Sequence, residues 1–448
     1  MEKCTLKTSC GPIIGTIENS AKVFRGIPFA VTNRFEFPKE YPIWKNELDA
    51  TGTKSSGTDC YQQSSFPNMN VPTNEFFDKE YPPQKVFEYG DTPMCLNVIT
   101  PLDAQKCPVV IFFHGGGHEI GKFDELPYGN STEYAKRGII LVSVGYRLNV
   151  FSFYDGQNYG LHDMLFSIEW VKKHIESFGG NPNKITLMGQ SAGAMSIMYM
   201  MYGEKLKGLV QGAIMLSGGG LIPKIAGPIH RKDAKEFWEN VSKEANADSI
   251  DELKNADPQI LWYAWHSQLN KAKNKLNLVQ PEIDGDIIPD LPQKIFNAGK
   301  DLDIPVIISV TSQDLLAPVM FKVALDYAKR NARKKRNPVY CAFFDRTLPG
   351  NSYKAFHSGD LWYAFGNMDK SWRPFEESDY ELSKMMIDYY SNFIKSTNPN
   401  GNHLPTWKAV SCTHCGFRLF DGKSDGYIKP VAGLKKTVHS MLFDPGPL

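Results

Sequence analysis

No stretch of this 448-residue chain approaches the 18 or so consecutive apolar residues that a bilayer-spanning helix needs. The opening residues, MEKCTLKTSC, also lack the apolar run of about seven that marks a secretory leader, so a cytoplasmic protein is expected. Charge of one sign is missing as well. Fifty Lys and Arg face 49 Asp and Glu for a formal charge of +1, which offers no broad field for nucleic acid or an anionic membrane. The one basic run, 329–336, reads as a solvated helix face. Cysteine is sparse: Cys4, Cys10, Cys60, Cys95, Cys107, Cys341, Cys412 and Cys415 are too few and too scattered for a secreted disulfide framework, and free thiols are expected. Cys412 and Cys415 flank His414, but a structural zinc site usually takes four ligands and no second pair lies nearby, so a turn at a strand edge is expected there. Internal repeats and low-complexity tracts are absent.

What is present is an ordinary globular composition, 42% hydrophobic and 22% charged. A chain of this length buries roughly three quarters of its unfolded surface, enough to stabilise one large domain without metals or disulfides. Short runs rich in Val, Ile and Phe at 109–113, 139–144, 185–188, 213–216, 304–310 and 339–344 are separated by longer stretches, as in strands buried on both faces of a mostly parallel sheet. Between them, Leu161, Leu165, Ile168 and Val171 recur at helical spacing, with Lys172, Lys173 and Glu176 on the wet side, which predicts a crossover helix over 161–177. The first two dozen residues, punctuated by Gly11, Pro12 and Gly15, predict a small antiparallel ribbon before the main sheet. The whole chain, 1–448, is read as one α/β domain. It carries a helical excursion at about 218–280 whose Trp238, Trp262 and Trp265 either roof a pocket or pack against the sheet.

The chemistry is carried first by Gly189-Gln190-Ser191-Ala192-Gly193, which follows the run 185–188 and precedes a Met-rich helical segment. Strand, sharp turn and helix is the setting in which a serine is forced into a strained, exposed conformation as a nucleophile, with the helix N–H groups aimed at the reacting centre. The plainer reading of Ser191 is a helix N-cap. His114-Gly115-Gly116-Gly117 follows the run 109–113 directly. Consecutive glycines let backbone N–H groups approach a ligand, so those of Gly116 and Gly117, joined by that of Ala192, are the expected donors to an oxyanion. A flexible loop of no consequence is the alternative.

These residues resemble the type-B carboxylesterases, the α/β-hydrolase family that includes cholinesterases and liver carboxylesterases. The likeness extends over nearly the whole chain through FRGIPFA (24–30), VGYRLNV (144–150), NYGLHD (158–163), WVKKHIESFGGNPNKIT (170–186), IDGDIIP (283–289) and FHSGDLWYAFG (356–366). The resemblance implies an α/β-hydrolase fold, ester hydrolysis through an acyl-enzyme, His357 as general base, and Asp314, in the stretch SVTSQD, as the acid that orients it. It also marks departures. Gln190 stands where the family commonly has glutamate, removing a negative charge near the histidine. His118 replaces the usual aromatic after the glycines and implies a more polar acyl pocket. Pro93 falls on a cysteine position, so the family's early disulfide with a cysteine near Cys60 is expected to be absent. Asp91 matches a glutamate that pairs with the arginine matching Arg147.

The expectation is a serine carboxylester hydrolase for small or aryl esters, with a small-molecule ester as partner, neither nucleic acid nor membrane, and no metal or organic cofactor. A specialised aryl or hydroxycinnamoyl esterase is the alternative if His118, Trp262, Trp265, Trp362 and Tyr363 supply substrate contacts and flat walls. A binding protein of the same fold that acts by contact is the rival from another class. Retention of Ser191, His357, an acid and the glycine loop argues against it. Oligomeric state is not legible here.

Overall fold

The computed structural model describes residues 2–52, 59–62, 79–81, 89–90, 92–221, 227–315, 317–350, 353–423 and 426–428. Among the described residues, the runs of β-branched and aromatic residues form a 13-stranded sheet. Twelve strands follow one path: β1 (Glu2–Thr8), β2 (Gly11–Glu18), β3 (Ala21–Pro28), β4 (Cys95–Pro101), β5 (Cys107–Phe113), β6 (Ile140–Val144), β7 (Gly180–Gln190), β8 (Gly212–Leu216), β9 (Val306–Thr311), β10 (Val339–Phe344), β11 (Phe417–Phe420) and β12 (Tyr427–Ile428). Their order across the sheet is 1-2-3-4-6-5-7-8-9-10-11-12, with Leu48–Asp49 pairing beside β2. From β6 to β11 every neighbouring pair is parallel, as buried two-faced strands predict. The antiparallel ribbon β1–β3 forms, but it does not stand apart. β3 pairs with β4 and β4 with β6, so the ribbon continues the main sheet at one edge.

Alternation along β5 shows how the sheet is buried. Val109, Ile111 and Phe113 join one core cluster, while Val110 and Phe112 join the other, on the opposite face. The first cluster is closed by α1 (Tyr159–His174), whose Leu161, Ile168 and Val171 are buried while Lys173 is exposed. The predicted helix therefore starts two residues early, and the chain tightens into a 3₁₀ turn over Ile175–Phe178. α2 (Ala192–Met201) packs on the same side. The excursion at 218–280 supplies α3 (Arg231–Glu244) and α4 (Pro258–Lys271), and its Trp238 and Trp265 belong to the core. α5 (Ala317–Arg333) follows β9, and α6 (Glu377–Ser396) covers the other face with Met386, Tyr390 and Phe393. Among the described residues no helix is long and apolar enough to cross a membrane.

Register places the loops that matter. Phe113 of β5 lies level with Gly189 of the adjacent β7, and Gln190 lies level with Leu216 of β8. The turns that leave β5, β7, β8 and β9 therefore emerge together at the carboxyl edge, where open α/β sheets bind ligands.

Candidate active site

Ser191 occupies the turn between β7 and α2 with φ 52° and ψ −120°, a conformation that costs a non-glycine residue about 1–3 kcal/mol. The neighbours hold it there. Its N–H donates to Leu216 O at 2.8 Å, and Met195 N–H returns a bond to Ser191 O at 2.9 Å. The flanking glycines are required by contact: a Cβ on Gly193 would lie 2.2 Å from Phe113 O, and one on Gly189 would lie 2.6 Å from the carbonyl carbon of Gly193. No side chain fits where strand, turn and helix approach this closely.

His357 and Asp314 come from loops after β10 and β9, and a single bridge sets them opposite each other. Gln313 pairs with Phe356, and Gln313 N–H donates to Ala355 O at 2.9 Å. Across that bridge His357 Nδ1 lies 2.5 Å from Asp314 Oδ1, while His357 Nε2 faces Ser191 Oγ at 2.8 Å. Asp314 Oδ2 also accepts Thr311 N–H at 3.2 Å. The three residues, 123 and 43 positions apart in the chain, thus form one hydrogen-bonded row. Burial pulls the imidazole towards lower pKa, but the Asp314 charge and its hydrogen bond outweigh burial and raise His357 above the ordinary histidine value. Burial pushes Asp314 up, yet the His357 charge and hydrogen bonds hold it below the ordinary carboxylate value.

The glycine loop abuts the serine. A Cβ on Gly115 would sit 3.0 Å from Ser191 Cβ and 2.1 Å from Gln190 Oε1. Gln190 itself places Nε2 at 3.3 Å from His357 Nε2, a neutral neighbour to the imidazole. Among the described residues the N–H groups of Gly116, Gly117 and Ala192 donate to no acceptor and remain open to one from a ligand. His114 anchors the loop: its Nδ1 lies 2.8 Å from Gly115 O, and its ring stacks on Tyr146, whose hydroxyl donates to His114 O at 2.7 Å.

Several expected contacts are corrected. His118 does not line an acyl pocket: it is 2% exposed, and its Nε2 lies 2.9 Å from Ser196 Oγ on α2. It ties the glycine loop to the helix that begins at Ala192. Trp265 and Trp362, 0% and 1% exposed, present no surface to a substrate; Trp362 Nε1 instead donates to Glu80 at 2.8 Å. Tyr363 is equally buried. Trp262 stacks on His266 at 4.7 Å and meets Tyr61 edge-on at 6.3 Å. Large aromatics serve core packing more often than recognition, and that bias decided three of these positions.

Asp91 lies outside the described residues, and Arg147 forms a fully buried, two-pronged ion pair with Asp163, 2.6 Å at the closer contact. Cys60 Sγ accepts Leu148 N–H at 3.4 Å. The CTHC segment forms a turn in which the Ser411 hydroxyl accepts the N–H groups of Thr413 and His414. One residue escaped the sequence reading altogether. Asp360 is 0% exposed, neither carboxyl oxygen has a hydrogen-bond partner among the described residues, and burial, aided by the Asp314 charge, pushes it to about 7. The available signal was its place three residues beyond His357, at the head of the apolar stretch LWYAF.

The profile of the carboxylesterase family matches residues 2–323 and 312–421. Para-nitrobenzyl esterase of Bacillus subtilis is 27% identical over 88% of this chain and 90% of its own length. Esterase cest-33 of Caenorhabditis elegans is 27% identical over 96% and 97%. Among solved structures, juvenile hormone esterase from Manduca sexta superposes with a TM-score of 0.82 at 21% identity, covering 98% of this chain and 99% of that one. A PNB esterase structure gives 0.80 at 23% identity over 98% and 99%.

Proposed function

The chain belongs to the carboxylesterase family and is a carboxylic ester hydrolase acting on small-molecule esters, and from that premise we propose that it works through a Ser191 acyl-enzyme. The observation that carries this reading is the row Ser191 Oγ–His357 Nε2–Asp314 Oδ1, with separations of 2.8 and 2.5 Å. His357 Nε2 takes the proton as Ser191 Oγ attacks the ester carbonyl, and Asp314 orients and stabilises the imidazolium. The N–H groups of Gly116, Gly117 and Ala192 hold the oxyanion of the tetrahedral intermediate. The alcohol leaves with the proton from His357. Water, deprotonated by the same nitrogen, then hydrolyses the acyl-enzyme and restores the serine.

Small esters are favoured over a dedicated hydroxycinnamoyl substrate because Trp265, Trp362 and Tyr363 are packed in the core rather than forming flat walls. The test is hydrolysis of p-nitrophenyl esters of increasing acyl length, with methyl ferulate alongside, by wild type and Ser191→Ala. Wild-type activity with a variant slowed about 10⁶-fold supports the acyl-enzyme, and the profile sizes the acyl pocket. A variant that keeps a substantial part of the rate points to another nucleophile.

A further inference from the structure

Gln190 is the last residue of β7, level with Leu216 of β8 and directly before Ser191. Its side chain has no part in the chemistry above. It is 4% exposed, yet among the described residues its terminal amide has a single hydrogen-bond partner, His357 Nε2 at 3.3 Å. The bare Gly115 gives the amide its room, since a Cβ there would fall 2.1 Å from Gln190 Oε1. The amide thus reaches from the glycine loop to the imidazole. Because Asp314 lies at Nδ1 and keeps the ring proton on that nitrogen, Nε2 of the neutral ring is an acceptor, and the Gln190 N–H is the donor.

Two donors therefore converge on Nε2. In the resting enzyme the hydroxyl of Ser191 is the nearer, at 2.8 Å, and the amide comes second. Acylation reverses that order. The serine proton has then left with the alcohol, and an ester oxygen has nothing to donate. Asp314 still holds Nδ1 at 2.5 Å, but of the described groups only the Gln190 N–H remains as a donor to Nε2. A flat ring bonded at one atom can pivot about it, whereas bonds at both nitrogens fix its plane.

Deacylation needs the ring in place. As water oxygen bonds to the acyl carbon, Nε2 takes the water proton, and it returns that proton to Ser191 Oγ as the bond from carbon to Oγ breaks. At 3.3 Å the amide is at the long end for a hydrogen bond, so an incoming water that approaches Nε2 more closely displaces it.

We propose that Gln190 is a positioning residue for the second half of the reaction, holding the neutral His357 ring through Nε2 while Ser191 carries the acyl group. The proposal rests on the acyl-enzyme reading above. Its consequence is selective: loss of the amide slows deacylation and spares acylation, in which the serine proton itself holds the ring.

The experiment follows p-nitrophenyl trimethylacetate, whose hindered acyl group leaves slowly, on the alkaline plateau of the pH profile. Release of p-nitrophenol in the first turnover reports acylation, and decay of the acylated mass of the intact protein reports deacylation. Gln190→Met, which keeps the length and lacks the amide, should acylate within about twofold of wild type and lose its acyl group about tenfold more slowly. In the steady state kcat and KM should fall together, leaving kcat/KM unchanged. Gln190→Glu keeps the shape and offers no N–H once ionised, so the same split is expected, and it decides the matter if the methionine variant does not fold. Equal slowing of both steps, as a general loosening of the site would give, overturns the proposal, and so does an unchanged deacylation rate. Failure of the acyl-enzyme reading is seen separately, as a wild type that forms no acyl adduct or a Ser191→Ala variant that forms one.

Discussion

At the scale of single residues, the proposed mechanism through the Ser191–His357–Asp314 row sets an expected dependence of activity on pH. The imidazole has to be neutral to accept the serine proton, and Asp314 raises its pKa above the ordinary 6.5. kcat/KM should therefore rise with pH through an inflection above that value. Asp314→Asn removes the charge and replaces a carboxylate oxygen by an amide, so the strongest upward influence on the histidine is lost and burial weighs more. The inflection should move to lower pH while turnover falls by about 10⁴-fold, as expected when the imidazole loses its orienting carboxylate. A pH–rate profile of wild type and variant checks both, and an inflection that does not move would mean that another group titrates. The strained turn at Ser191 was legible because close approach of strand and helix restricts residue types locally, whereas the place of His357 beside it came only through the resemblance of its motif. Asp314 needed its position after a strand. The role of His118 was not legible, because a histidine after a glycine run carries no mark of whether it faces a pocket or a neighbouring helix.

Two elements have to be held against each other for the proposed oxyanion donors to converge: the loop carrying Gly116 and Gly117, and the first turn of α2 carrying Ala192. They are joined through His118 Nε2 and Ser196 Oγ at 2.9 Å, and Asn149 N–H on His118 O at 2.7 Å braces the loop from outside. Burial lowers the pKa of His118 to about 4, so the tether stays neutral through the working range of an esterase. Removing it should loosen a constellation in which a small displacement is felt strongly. His118→Ala and Ser196→Ala are each expected to reduce kcat about tenfold with little change in KM, and the double variant should be no worse than either single one. Additive losses in that cycle would mean that the two side chains act separately. At this scale the strands and α1 followed from apolar periodicity. That the ribbon β1–β3 extends the main sheet did not follow, because the pairing of β3 with β4 joins segments some seventy residues apart.

For the molecule as a whole, Asp360 links the site to folding stability. Its carboxyl titrates at about 7 in the folded protein and near 4 in the unfolded chain, so between those values the native state holds a proton that the unfolded state has released. Stability from this group is present at low pH and declines as pH rises towards 7, by about 1.4 kcal/mol per pH unit. Asparagine does not titrate. Asp360→Asn should therefore gain on wild type by about 2–3 kcal/mol between pH 5 and pH 7 in denaturant unfolding. A stability difference that is the same at both pH values would mean that Asp360 does not titrate in this range. Such a group is invisible in sequence, where an acid in a loop reads as solvated. The sequence alone determined the parallel core strands, the strained turn at Ser191 and the glycine loop, because periodicity and close backbone approach restrict residue types locally. Tertiary structure alone decided that Arg147 pairs with Asp163, that Trp265 and Trp362 are core, and that His118 meets Ser196 on the neighbouring helix. Each of these depends on which surface a side chain meets after distant segments pack, and local sequence does not encode that.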